Sequence, residues 1–216
     1  MVIKSLAVST HGRYLVVPGR AAERAPLLVG FHGYAEPAEA AFDRLVSIAP
    51  AGEWHLVAVQ GLHRFYRGRS QDVVASWMTS QDRDQAIADN IEYVRAVVRE
   101  ETGTPDPGAP PRLVFTGFSQ GVAMAFRAGA ALGCAGVIAC GGDVPPELDA
   151  AALSRIGRVL IGRGNGDEWY TAAKLDDDAA RLRAAGIPAT PLTFQGGHEW
   201  APSFVEPAAG FLAGLR

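Results

Sequence analysis

Apolar and polar positions alternate in two distinct rhythms along this chain. Ala189–Phe194 reads as the last strand, and short apolar runs recur at Leu27–Phe31, Trp54–Val59, Leu113–Phe115, Ala135–Cys140 and Val159–Gly162. Each is too short for a buried helix and lies near Gly, Pro or polar residues, so each predicts a buried strand. Between them lie stretches with the three-to-four-residue spacing of amphipathic helices. Ala41, Phe42, Leu45 and Ile48 share one face of 38–48, and Ala86, Ile87, Ile91, Val94, Val97 and Val98 form a stripe over 80–101. Ser80 is the expected cap of that second helix, with Gln81 and Asp82 in its first turn. Further helices are expected after Gly117–Gly121, over 150–156, 171–185 and 203–215. Val2–Val8 and Tyr14–Val17 flank a polar Ser9–Arg13 turn and predict an N-terminal hairpin. The 60–76 stretch has neither rhythm and predicts a long loop rich in Arg and aromatic residues, a feature more often functional than not.

Strands that alternate with helices, and that are apolar throughout, predict an α/β fold with a mostly parallel sheet covered on both faces. The Pro/Gly-rich segment Gly103–Pro111 is too short to separate domains, so all 216 residues are expected to form a single domain. Composition narrows the function classes. Apolar residues make up 48% and charged residues 20%, values ordinary for a globular protein. The net charge of −3 without a basic cluster argues against a nucleic-acid partner or an anionic membrane surface. No apolar run reaches membrane-spanning length, and Met1–Val8 lacks the pattern of a signal peptide. Cys134 and Cys140 flank an extended strand and are expected to be reduced and buried, which suits a cytoplasmic protein. No His, Asp or Glu group has metal-ligand spacing, and no glycine-rich phosphate cradle follows a strand.

Candidate chemistry sits where strands end. In a parallel sheet, ligands bind beyond the carboxyl ends of the strands. Leu113–Phe115 runs into Gly117-Phe118-Ser119-Gln120-Gly121 and then into a small-residue helix. Strand, sharp turn and helix around G-x-S-x-G are the pattern of a nucleophile elbow. A serine hydroxyl is a weak nucleophile and needs a tight turn that presents it to a base. Asp167 follows the 159–162 strand and His198 the last strand, so the chain order is Ser, Asp, His, as in an α/β-hydrolase triad. His198 would move the proton and Asp167 would hold its second ring nitrogen. Asp143, after the 135–140 strand, is the rival acid. The backbone N–H groups of Gln120, after the nucleophile, and Tyr34, in the loop after the first buried strand, are the expected oxyanion donors. His32 is read as a brace of that loop, and His11 and His55 as structural. His63, Trp169 and Trp200 are candidates to shape a pocket.

Taken together, G-F-S-Q-G at 117–121, H-G-Y at 32–34, Asp167 in G-N-G-D and G-G-H at 196–198 resemble the phospholipase/carboxylesterase family of α/β-hydrolases, which includes acyl-protein-thioesterase-like enzymes. The resemblance runs from about Pro26 to the C-terminus. It implies an α/β-hydrolase fold with little or no lid and a Ser-His-Asp hydrolase acting on small ester substrates. It also implies no cofactor and, often, a homodimer. It assigns Ser119, Asp167 and His198 to the triad, Tyr34 and Gln120 to the oxyanion hole, and Trp77 to the vicinity of the acyl pocket. Members often read H-G-x-G where this chain has Ala35, and often follow the acid with Pro where it has Glu168-Trp169-Tyr170. The same triad serves peptidases and lactone hydrolases, and a binding protein can share the scaffold.

Overall fold

The computed structural model describes residues 1–20, 25–50, 52–103 and 113–215. The expected Pro/Gly linker therefore falls almost wholly outside the described residues. Among the described residues, nine strands and six helices follow in the order β1 (Tyr14–Val17), β2 (Leu27–Phe31), α1 (Ala38–Ile48), β3 (His55–Val59), β4 (His63–Tyr66), β5 (Val73–Ser76), α2 (Arg83–Thr102), β6 (Leu113–Phe118), α3 (Gln120–Leu132), β7 (Gly136–Cys140), α4 (Ala150–Leu153), β8 (Val159–Gly164), α5 (Ala172–Ala184), β9 (Ala189–Phe194) and α6 (Pro202–Ala213). Seven strands form one sheet in the order β1-β3-β2-β6-β7-β8-β9. All its pairings are parallel except that of β1 with β3.

Side chains alternate across the sheet and build two cores. Val29 and Phe31 of β2 pack with Val94 and Val98 of α2 and with Phe126 of α3. Leu28 faces the other way, with Leu45 of α1 and Phe204 of α6. The uniformly apolar central strands thus reflect a sheet buried on both faces. Both cysteines are free and buried, and burial pushes both thiols well above their usual pKa.

Three expectations change. The N-terminal hairpin does not form: Val2–Val8 carries no strand and its large apolar side chains are exposed. Tyr14–Val17 instead pairs antiparallel with β3, a long-range partner that local turn residues cannot reveal. The 60–76 stretch is not a loop but holds an antiparallel β4–β5 hairpin, with His63 opposite Ser76 and Tyr66 opposite Val73. Its first strand is mostly exposed and interleaved with Arg, which hides the apolar alternation of an ordinary strand. Helix α2 begins at Arg83, not Ser80. Its N-cap is Asp82, held at φ 49° without a side-chain cap bond.

Candidate active site

The strand β6 ends at Phe118 and the helix α3 begins at Gln120, leaving Ser119 alone to make the turn. Its backbone has φ 52° and ψ −120°, a region that non-glycine residues rarely occupy. Such strain persists only where the surroundings dictate it, and it clusters at functional sites. Here the Ser119 N–H donates to the Cys140 carbonyl at 2.9 Å, and the Ser119 carbonyl accepts from Val122 N–H at 3.0 Å. The bend is so tight that a Cβ on Gly117 would lie 2.3 Å from the Gly121 carbonyl oxygen.

Two other strand ends meet Ser119 there. His198 Nε2 lies 2.9 Å from Ser119 Oγ, and His198 Nδ1 lies 2.8 Å from Asp167 Oδ2. The other carboxylate oxygen, Asp167 Oδ1, accepts from the backbone N–H groups of Trp169 (2.8 Å) and Tyr170 (2.9 Å). Burial alone would raise the Asp167 pKa, but the Tyr170 amide, His198 and the Trp169 amide outweigh it and hold the carboxyl below its ordinary value. An ionised acid at one ring nitrogen favours the tautomer that leaves the other nitrogen free to take the serine proton. The Glu168-Trp169-Tyr170 sequence therefore has a local purpose: two of its amides clamp the carboxylate. Below them, Arg163 is buried and donates to the carbonyls of Tyr170, Asn165 and Asp167, fastening the whole turn. Asp143, the rival acid, is half exposed and paired with Lys174 at 3.3 Å, while His198 Nδ1 is bonded to Asp167.

The loop after β2 runs beside the start of α3, where the His32 carbonyl lies close to Gly121. Gly33 N–H donates to Glu36 Oε2 at 2.7 Å and Ala35 N–H to the Ala75 carbonyl at 3.0 Å, leaving the Tyr34 N–H between them. Gln120 is the first residue of α3, so its N–H is one of the helix's unpaired N-terminal donors. The Gln120 side chain is engaged separately: Oε1 accepts from Trp77 N–H (3.0 Å) and Ser76 Oγ (3.2 Å), while Nε2 donates to the Met78 carbonyl (3.1 Å). His32 is fully buried. Gly61 N–H donates to its Nε2, so Nδ1 carries the proton and donates to the Gly33 carbonyl at 2.6 Å. Burial lowers its pKa, in keeping with a neutral brace.

A cleft of about 310 Å³ opens beside Ser119, Gln120 and His198, with Met78, Trp169 and Arg127 also in its wall. Three sequence candidates lie elsewhere. Trp77 is fully buried, stacks on His32 at 4.9 Å and donates from Nε1 to the His32 carbonyl, so it supports the loop instead of lining the cleft. His63 is exposed on β4. Trp200 packs edge-on against Phe204 at 4.8 Å and reaches Ser47 through Nε1, beside a separate small hollow that Phe118 and Arg44 also line. Their aromatic or imidazole chemistry was legible, but their side of the fold depends on packing far along the chain.

Sequence reading missed the Glu36–Arg44 pair. Arg44 binds Glu36 through two nitrogens at 2.6 and 2.7 Å and stacks over Phe118 at 4.3 Å; the Phe118 ring in turn lies 5.1 Å from His198. Burial would raise the Glu36 pKa, but Arg44 and the Gly33 amide lower it below its ordinary value. A depressed carboxyl contributes stability above its unfolded pKa, about 4.3, and that stability is lost as pH falls through the folded value. Glu36→Gln is therefore expected to destabilise the protein by about 2 kcal/mol at pH 7, within the range for a partly buried pair. The gap to wild type should stay constant down to about pH 5 and close below about pH 4. Urea unfolding at pH 7, 5 and 3.5 measures it; an equal gap at all three would contradict this account.

A family model described as Phospholipase/Carboxylesterase matches residues 13–212. No curated protein matches the chain in sequence. Among solved structures, esterase PE8 aligns with TM-score 0.72 at 22% identity, covering 96% of this chain and 100% of its own. The acyl-protein thioesterase 2 of Zea mays aligns with TM-score 0.72 at 15% identity, over 95% of this chain and 99% of its own. The phospholipase/carboxylesterase of Dyadobacter fermentans DSM 18053 aligns with TM-score 0.69 at 19% identity, over 96% and 99%. At such identities these structures establish the shared α/β-hydrolase architecture, while the family match spans nearly the whole sequence. The chain belongs to the phospholipase/carboxylesterase family of hydrolase enzymes.

Proposed function

We propose that the protein is a single-domain serine hydrolase that cleaves carboxylic esters or thioesters of short to medium acyl chains through an acyl-enzyme. The observation that carries this reading is the unbroken hydrogen-bond series from Ser119 Oγ to His198 at 2.9 Å and from His198 to Asp167 at 2.8 Å. Ser119 Oγ attacks the ester carbonyl as His198 Nε2 takes its proton. The carbonyl oxygen becomes an oxyanion, received by the Tyr34 and Gln120 N–H groups; each donor stabilises the transition state by about 3 kcal/mol. His198 then protonates the departing alcohol or thiol, and the carbonyl re-forms as the Ser119 acyl ester. Water, deprotonated by His198, attacks that ester and releases the acid, returning the proton to Ser119. Asp167 remains ionised throughout and stabilises the imidazolium. Thioesters are included because the fold is shared with an acyl-protein thioesterase. The helix dipole of α3 points its positive end at the same centre and favours the developing negative charge.

Labelling tests the nucleophile directly. A fluorophosphonate is expected to modify Ser119 alone, located by peptide mass mapping, and to abolish turnover of 4-nitrophenyl acetate and butyrate in proportion to occupancy. Turnover that survives full labelling, or a label found on another serine, would reject the assignment.

A further inference from the structure

The cleft beside Ser119 has a cationic end. Ser119, Ala123 and Arg127 are spaced four residues apart, so they form one row along the surface of α3, about 12 Å from first to last. Ala123 keeps the middle of that row low. At its far end the Arg127 side chain is only 2% exposed. Its Nε and Nη2 reach one carboxylate oxygen, Glu147 Oε1, at 2.8 and 2.6 Å. Among the described residues its Nη1 has only the Met78 thioether sulfur, at 3.2 Å, a weak acceptor for a charged donor. Arg83 shares the same Glu147 at 3.5 Å, and its remaining contact is Asp84, fully exposed and 3.7 Å away. Lys174, also in the wall, is paired with Asp143. Three cations, Arg83, Arg127 and Lys174, thus line the cleft, and the carboxylates that pair with them are Glu147, Asp84 and Asp143.

We infer that the substrate of this site carries a carboxylate, on the part of the molecule that lies along α3, and that Arg127 and Arg83 receive it. The inference rests on the assignment of Ser119 above. A buried guanidinium with an under-used donor is a poor lining for a plain alkyl chain, which would strip water from it without replacing the hydrogen bond. A carboxylate supplies the missing acceptor, and guanidinium groups suit its geometry.

Two pairs of esters test the inference on the intact protein. Mono-4-nitrophenyl adipate against 4-nitrophenyl hexanoate places the carboxylate on the acyl side; 4-acetoxybenzoate against phenyl acetate places it on the alcohol side. Wild type is expected to favour the charged member of one pair by tenfold or more in kcat/KM at low salt. That preference should shrink in 0.5 M NaCl, fall severalfold in Arg83→Gln and approach unity in Arg127→Met. If Arg127→Met does not fold, Arg83→Gln and the salt series decide. Equal or better turnover of the neutral ester in both pairs, or a preference untouched by salt and substitution, overturns the inference. Absence of turnover on all four esters overturns it as well, and fluorophosphonate labelling of Ser119 then tells whether the nucleophile assignment falls with it.

Discussion

Ser119→Ala is expected to lower kcat/KM on 4-nitrophenyl butyrate by about 10⁵-fold, or about 7 kcal/mol of transition-state stabilisation. The substitution removes one oxygen and leaves the rest of the cleft in place. A small residual rate should remain, because the Tyr34 and Gln120 N–H groups can still polarise a bound ester towards water. Stability should scarcely move, since Ala at φ 52° is as strained as Ser. Ser119→Gly makes the companion measurement: it is equally inactive but should be more stable than Ser119→Ala by about 1 kcal/mol, because glycine occupies positive φ without cost. Stopped assays with active-site titration, alongside urea melts, separate the two effects. A Ser119→Ala enzyme retaining a tenth of the wild-type rate would remove Ser119 from the reaction.

Gly121→Ala is expected to cost about 3 kcal/mol or more in stability, and activity with it. A Cβ there would sit 2.3 Å from the Phe31 carbonyl oxygen and 2.6 Å from that of His32. Both are backbone atoms at the end of β2, so neither can swing aside. Relief requires α3 to lift from the sheet, which shifts Gln120 and Ser119 relative to the loop that carries Tyr34. Gly210→Ala, at an exposed position of α6 with nothing near the added methyl, is the control, and should stabilise by about 0.5–1 kcal/mol through helix propensity. Urea unfolding measures both; two glycines of the same helical class should respond with opposite signs. A Gly121→Ala protein as stable as wild type would mean that the packing of α3 on β2 is looser than the backbone distances indicate.

Much of this arrangement was legible before any coordinates, for physical reasons that differ from element to element. The parallel strands announced themselves because burial on both faces keeps β2, β7 and the first residues of β6 and β8 apolar. Ser119, Asp167 and His198 could be singled out because a parallel sheet gathers its strand ends on one side, so position in the order of elements stands in for position in space. What local pattern does not encode is which surface a side chain finally meets. Trp77 looked like a pocket aromatic, yet lies against His32 in the core. The β4–β5 hairpin was hidden by its arginines, and β1 by a partner some forty residues away. Arg127 had a visible signal, a lone charge inside the apolar run A-M-A-F-R-A-G-A, and a charge there asks what it pairs with.

The Gln120 side chain spans two parts of the molecule that are otherwise separate in sequence. It is bonded at both ends to the 76–78 segment, while its own backbone opens α3 directly after Ser119. The β4–β5 hairpin and the Ser119 turn are consequently one module for recombination. Exchanging residues 60–78 with those of a relative would transplant a wall whose anchor stays behind, unless the residue at 120 travels with it. A designer who grafts the wall should count the elbow as part of the graft.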